Sequence, residues 1–184
     1  SAQVMQAAEA SAELARRMAA VGNFNRLQQA REQSFYAEAA LTRAIEVCRP
    51  LARQRGMQLV TGARAPGAMV SGESDRLCQV LINLISNAVK YNTAELPVVE
   101  LRSSLQGGVY TVEVEDNGAG IPREDRNLIF EKFARGQHAG GEAGAGLGLA
   151  ISRQIIARMD GTLDLVPGAG TGACFRVRLP LATG

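Results

Sequence analysis

Between Leu77 and Ala88 the apolar residues Leu77, Val80, Leu81, Leu84, Ile85 and Ala88 recur at i, i+3, i+4 and i+7, the spacing that lines one side of an α-helix. Such a stripe obliges the chain to supply a second layer that covers it. The partner is legible further on. In "VVELRSSL" the residues Val99, Leu101, Ser103 and Leu105 alternate. In "VYTVEVED" Tyr110, Val112 and Val114 alternate against Thr111, Glu113 and Glu115, with "QGG" between the two runs. A two-residue period about a glycine turn predicts an antiparallel hairpin with one apolar face. A second hairpin is expected at "TLDLV" and "ACFRVRLP" around "PGAGTG", with Phe175, Val177 and Leu179 on one face.

Further elements flank this frame. Ala37 to Gln54 carries Leu41, Ile45 and Cys48 on one helical face, and Pro50 sits inside that helix or kinks it. "LGLAISRQIIARMD" predicts an amphipathic helix closed by Gly161. "MQLVTG" and "GAMVSG" read as short strands ended by glycine. Ser71 or Ser74 is expected to cap the striped helix, with Glu73 and Asp75 in its first turn. Residues 3 to about 32 have helix composition, but Met5, Leu14, Met18, Val21, Phe24 and Leu27 follow the period only loosely. The expected class is α+β: a two-layer α/β sandwich with a mixed sheet of about five strands under three helices on one face, preceded by an N-terminal helical segment. The domain division expected is 1–35 and 36–184.

Composition narrows the function. A formal charge of +2 gives no electrostatic case for nucleic acid. No apolar run approaches the ~18 residues of a membrane span, so no membrane contact is expected of this segment. Cys48, Cys78 and Cys174 are odd in number and far apart, which suits reduced thiols in the cytoplasm. The cytoplasmic part of a membrane-bound sensor is compatible with this. Ser1 is not an initiator methionine, so the chain reads as a piece of a longer protein.

Three stretches carry chemistry. Asn83, Asn87 and Lys90 fall within about 60° of arc on the striped helix, roughly 130° from the centre of its apolar face, with Tyr91 near the boundary. Asparagine is a poor helix former, so a flank holding two of them either faces solvent or meets a ligand. "DNGAG", Asp116 to Gly120, ends a strand, and the parity of Asp116 with Val112 and Val114 points its carboxylate inward. Burial of a carboxylate needs a partner, although an Asp-Asn-Gly turn is the plainer reading. "GAGLGLA", Gly144 to Ala150, runs into a helix whose exposed N–H groups favour anions.

In this order the three resemble the N box and two glycine boxes of the sensor histidine kinase catalytic domain, within the superfamily of gyrase, mismatch-repair ATPases and heat-shock chaperones. "FEKF", Phe130 to Phe133, matches the phenylalanine box. The resemblance covers roughly residues 40 to 181. It implies ATP and Mg²⁺ as cofactors. Asn87 would be the Mg²⁺ ligand, with Asn83 assisting at the metal or phosphates. Lys90 would meet phosphate oxygens, and Tyr91 would border the adenine or ribose. Asp116 would accept a hydrogen bond from the adenine amino group, which favours ATP over GTP. Gly118 and Gly120 would allow close approach to the base, and Gly144, Gly146 and Gly148 would form the phosphate side and a hinge. Ile121, Phe133, Leu147 and Leu149 complete the nucleotide contacts it implies. Residues 134 to 143 would be a mobile lid, where Arg135 is as readily a phosphate contact as an exposed arginine without a partner.

Two departures refine this. Where the water-activating ATPases carry a glutamate base, four residues before the metal ligand, this chain has Asn83, and an amide takes no proton. Hydrolysis and serine phosphorylation are thereby disfavoured relative to an imidazole acceptor, which already has a free lone pair. The only histidine, His138, lies in the lid stretch and outside a His-(Glu/Asp)-x-x-x-Pro context, so the phosphoacceptor is expected outside this chain. The N-terminal helix resembles the second helix of a dimerisation and phosphotransfer hairpin. The expectation is a histidine kinase, homodimeric in its full length, that passes phosphate through that hairpin to an aspartate of a response regulator. The rivals are a nucleotide-binding pseudokinase module that controls partners without transfer, and a conformational ATPase.

Overall fold

The two apolar periods become two layers in the computed structural model, which describes residues 9–10, 12–20, 34–131, 148–168 and 170–183. The chain divides into Ser1–Gln33 and Ser34–Gly184. In the first unit residues 12–20 are helical. Leu14 and Met18 are exposed there, and Glu13 pairs with Arg16 and Arg17 at 3.5 and 3.2 Å on the surface.

The second unit runs β1 (Ser34–Tyr36), α1 (Ala37–Gln54), β2 (Gln58–Thr61), β3 (Met69–Ser71), α2 (Ser74–Tyr91), β4 (Val98–Gln106) and β5 (Val109–Asp116). A 3₁₀ turn at Leu128–Phe130 follows, then α3 (Gly148–Arg158), β6 (Thr162–Val166) and β7 (Cys174–Pro180). The main sheet has the order β2-β4-β5-β7-β6. Only β2 and β4 are parallel; the hairpins β4–β5 and β6–β7 are antiparallel, as is the junction β5–β7. Val99, Leu101, Tyr110, Val112, Val114, Leu163, Phe175, Val177 and Leu179 bury one sheet face against Leu77, Val80, Leu81, Leu84 and Ile85 of α2. The buried face of α1 is rich in alanine (Ala37, Ala40, Ala44, Ala52), with Leu41 and Ile45 between. Small side chains let two helix backbones approach closely. Pro50 lies within α1 on an exposed turn, and the helix continues past it to Gln54.

Three details depart from expectation. Neither Ser71 nor Ser74 caps α2: Ser71 ends β3, Ser74 is already helical, and Glu73 holds the cap position without a side-chain bond. Leu105 shares the parity of the buried set yet is 45% exposed, and its neighbours Ser104 and Gln106 are exposed too, so the buried face of β4 ends at Ser103. At the end of α3 the left-handed residue is Asp160, at φ 58°. The N–H of Asp160 meets Ala157 O at 3.0 Å and that of Gly161 meets Ile156 O at 2.9 Å, a Schellman closure with the aspartate where glycine is usual. One pairing went unforeseen. β1 and β3 form a separate antiparallel ribbon, Phe35 opposite Val70, and Val70 also bridges to Leu181.

The first turn of α1 is tied to the sheet through a carboxylate. Glu38 accepts from Arg64 Nε at 2.5 Å, Tyr110 Oη at 3.0 Å, Ala65 N at 3.2 Å and the Ser103 hydroxyl. Burial alone would push its pKa up, but these donors outweigh it and hold Glu38 below the usual range. The opposite sheet face carries a cross-strand ladder. Arg102 meets Glu115 at 2.7 Å and Glu100 at 3.2 Å, and Arg176 meets Glu113 at 3.0 Å. All three cysteines are buried and free, and burial raises Cys48 to about 11, so that thiol stays protonated.

Candidate functional site

Asp116 is the last residue of β5 and stands opposite Val99 in register. Alternation aims it to the helix side, as its parity with Val112 and Val114 requires. Its Oδ1 accepts from Gly118 N at 2.9 Å and Ala173 N at 3.2 Å. Burial raises its pKa above the ordinary aspartate value, and these two backbone donors offset only part of the rise. Among the described residues both bonds fall on Oδ1, which leaves Oδ2 able to accept from an incoming donor. The loop after β6 closes over the same residue: a Cβ on Gly172 would lie 1.9 Å from Asp116 O and 2.5 Å from its Oδ1. Only glycine passes there.

The polar flank of α2 divides in two. Asn83 is half-buried, and its Nδ2 donates to the Ser152 hydroxyl on α3 at 3.2 Å. The start of α3 presses on it, since a Cβ on Gly148 would lie 2.7 Å from Asn83 Oδ1. Asn87, one turn later, is half-exposed and has no hydrogen-bond partner among the described residues. Lys90 is exposed and Tyr91 is 39% exposed; the carbonyl of Lys90 accepts from Arg55 Nη1 at 3.1 Å. Asn87 and Lys90 therefore remain available to a ligand, while Asn83 is engaged between two helices.

Gly120 and Ile121 follow Asp116 in the turn; Ile121 and, on α3, Leu149 pack against the core. Phe130 stands edge-on to Phe175, ring centres 6.2 Å apart, and the Arg153 guanidinium lies 4.0 Å above its ring. Phe133, Arg135, His138, Gly144, Gly146 and Leu147 lie outside the described residues. A cavity of about 540 Å³ opens beside Gly120, Ile121, Phe130, Arg153 and Thr171. None of Asn83, Asn87 and Lys90 lines it, so it borders the Asp116 turn but is separate from the α2 flank.

The sequence reading missed several residues here. Ser152 is 3% exposed on the inner face of α3; a hydroxyl inside an apolar stripe is a signal that a partner exists. "PGAGTG" reads as a hairpin turn, and nothing local tells that Gly172 and Ala173 return to Asp116. Asn92 and Asn117, which bond to each other at 2.9 Å, look like ordinary turn residues.

Residues 72–183 match the family described as histidine kinase-, DNA gyrase B-, and HSP90-like ATPase. The chain belongs to this family. Among curated relatives it is 48% identical over 106 residues to the sensor histidine kinase GlrK of Escherichia coli K12, covering 56% of this chain and 22% of GlrK. It is 36% identical over 146 residues to the virulence sensor protein BvgS of Bordetella bronchiseptica, covering 75% of this chain and 12% of BvgS. The chain thus spans about a fifth or less of these relatives. The structure of the mycobacterial sensor histidine kinase MprB superposes with a TM-score of 0.70 at 26% identity, covering 83% of this chain and all of that one. Full-length ShkA, solved with AMPPNP, superposes at 0.67 with 33% identity, covering 80% of this chain and 30% of that one. The second unit is accordingly a histidine-kinase-type ATP-binding catalytic domain, with the family's five-stranded mixed sheet. Among the described residues no helix is long and apolar enough to cross a membrane.

Proposed function

We propose that this domain binds Mg·ATP between Asp116 and the flank of α2 and transfers the γ-phosphoryl group to a histidine on the dimerisation domain of its own full-length protein, for relay to a response-regulator aspartate. The observation that carries the reading is the Asp116 carboxylate, half-buried, with Oδ1 held by two backbone amides and Oδ2 left to accept. A donor such as the adenine amino group satisfies that oxygen, whereas the carbonyl of guanine would face it with another acceptor. Tyr91, Gly118, Gly120, Ile121 and Leu149 would surround the base. ShkA, related in fold and sequence, is solved with the nucleotide AMPPNP.

The residues on α2 fit a metal and phosphates. The free amide of Asn87 offers the neutral oxygen that suits a hard cation retaining its waters. A Mg²⁺ ion held there supplies charge neutralisation at the phosphate oxygens. Lys90 adds a point charge. Asn83, with one Nδ2 hydrogen held by Ser152, would assist at the metal or phosphates through its remaining amide groups beside Gly148, and the resemblance extends the phosphate side to Gly144, Gly146 and Leu147. Phe133 and Arg135 keep the contacts the resemblance implies. In the transfer the P–O bond to ADP breaks as a P–N bond forms to a neutral imidazole, whose lone pair needs no base. An amide at position 83 is consistent with that chemistry and unsuited to activating water. The N-terminal unit is read as part of the dimerisation hairpin, in a homodimer.

The test is to mix this chain with labelled ATP and a separate hairpin that bears the acceptor histidine. Labelled hairpin, lost with Asn87→Ala, is the expected result. ATP binding without transfer would favour a regulatory module, and fast steady hydrolysis without acceptor would favour a conformational ATPase.

A further inference from the structure

The two halves of the proposed nucleotide site are joined by a pair of side-chain amides. Asn92 is the C-cap residue of α2, immediately after Lys90 and Tyr91. Asn117 immediately follows Asp116. Asn92 Nδ2 donates to Asn117 Oδ1 at 2.9 Å and to Val98 O at 3.3 Å, while its Oδ1 accepts from Ala94 N at 3.0 Å. Asn117 Oδ1 also accepts from Val98 N at 2.8 Å, and its Nδ2 donates to Leu96 O at 2.8 Å. Both lone pairs of the Asn117 oxygen are thus used. Asn92 also lies against the Asp116 turn: a Cβ on Gly118 would stand 3.2 Å from Asn92 Oδ1 and 3.1 Å from Asp116 Oδ1. Gly118 is the residue whose N–H holds that carboxylate.

We infer that Asn92 and Asn117 form a positioning clasp that sets the distance and angle between the Lys90–Tyr91 end of α2 and the Asp116 carboxylate, and so tunes recognition of the purine 6-amino group. Neither is a catalytic residue, because each acts through the turn that aims Asp116. A bond so arranged differs from one that merely stabilises. Five side-chain hydrogen bonds, all made by these two amides, and one backbone bond from Asn117 N to Val98 O at 3.3 Å join the loop 92–98 to the Asp116 turn or close it on itself, in a segment with an 82% exposed leucine at Leu96. That segment buries little apolar surface, so hydrogen bonds rather than packing decide its geometry, and all but the backbone bonds to Pro97 O and Val98 O come from these two amides. A displacement of the carboxylate by a fraction of an ångström weakens a directional bond to the base while leaving the phosphate contacts intact.

The inference rests on Asp116 being the adenine acceptor, and the experiment separates the two. Dissociation constants of the chain are measured, well below its unfolding temperature, for Mg·ATP and for Mg·purine riboside triphosphate, which lacks the 6-amino group. The ratio of the two constants reports the Asp116 bond alone. In the parent ATP binds more tightly, and Asp116→Ala brings the ratio to one; an unchanged ratio in Asp116→Ala overturns the acceptor reading itself. With that reading standing, Asn117→Ala and Asn92→Ala are each expected to weaken ATP about tenfold, to lower the ratio, and to leave the constant for the amino-free analogue nearly unchanged. The double variant is expected to be no worse than the worse single. Asn117→Asp keeps the acceptor for Val98 N and Asn92 Nδ2 but sets its second oxygen against Leu96 O, so it should recover only part of the ratio. If both alanine variants lower thermal stability but hold the parental ratio, the clasp is structural only and the inference is overturned.

Discussion

Gly172 shows how much one hydrogen in place of a methyl decides. Its missing Cβ makes room for the carbonyl of Asp116, a backbone atom that cannot swing aside. Gly172→Ala is expected to cost more than about 3 kcal/mol, read by denaturant unfolding. Gly170→Ala, two residues earlier with nothing within 4 Å, should be near neutral. Asp116 itself gives a pH signature. Its folded pKa lies above the ordinary 3.8 because of burial, so the native state holds its proton more firmly than the unfolded chain. The stability it contributes is present below 3.8 and is lost as pH rises through the folded pKa. In the proposed site nucleotide affinity runs the other way, since Asp116 as acceptor would have to be ionised. ATP affinity should fall as pH drops through that raised pKa, at a pH where an ordinary aspartate is still charged. Asp116→Asn should flatten this dependence. The inward direction of Asp116 was legible from strand parity and its bond from Gly118 N from the Asp-Asn-Gly turn, but its partner Ala173 was not, because it is 57 residues away in the chain.

At the scale of elements, legibility followed periodicity. The stripe of α2 and the alternation of β4, β5 and β7 were read nearly to their ends, because one face of each is buried over most of its length, β4 losing that cover only at Leu105. β1 was invisible: three residues carry no period, and its partner β3 is remote in sequence. Helix ends were misread where local chemistry admitted several answers, as with Ser71 or Ser74 against Glu73. The Glu38 network was equally hidden, since its members come from α1, the loop after β2, β4 and β5. Glu38→Ala should destabilise the domain by about 3 kcal/mol, because Arg64, Ser103 and Tyr110 lose a shared acceptor. Tyr110→Phe should cost about 1 kcal/mol. Donors hold the folded pKa of Glu38 below 4.5, so its stabilising contribution is present above 4.5 and is lost as pH falls through the folded value. Acid titration of stability in Glu38→Gln against the parent measures that loss.

For the whole molecule, the fold and its family were recoverable from four short boxes taken together and in order. Ligand linkage tests the assembled site. At a nucleotide concentration of 100 dissociation constants, Mg·ATP should raise unfolding free energy by about 2.7 kcal/mol. Chelating the metal should remove most of that gain in the parent and change little in Asn87→Ala. Beyond the site, the ribbon of β1 and β3 has a mechanical meaning. Val70 has Phe35 on one side and Leu181 on the other, two strand spacings or about 10 Å across. The path into the second unit and the path out of β7 are therefore fastened to one three-residue strand. Asp116 ends β5 six residues from Tyr110, about 20 Å along the strand. Tension on either path loads this shared strand directly, at the end of β5 remote from Asp116.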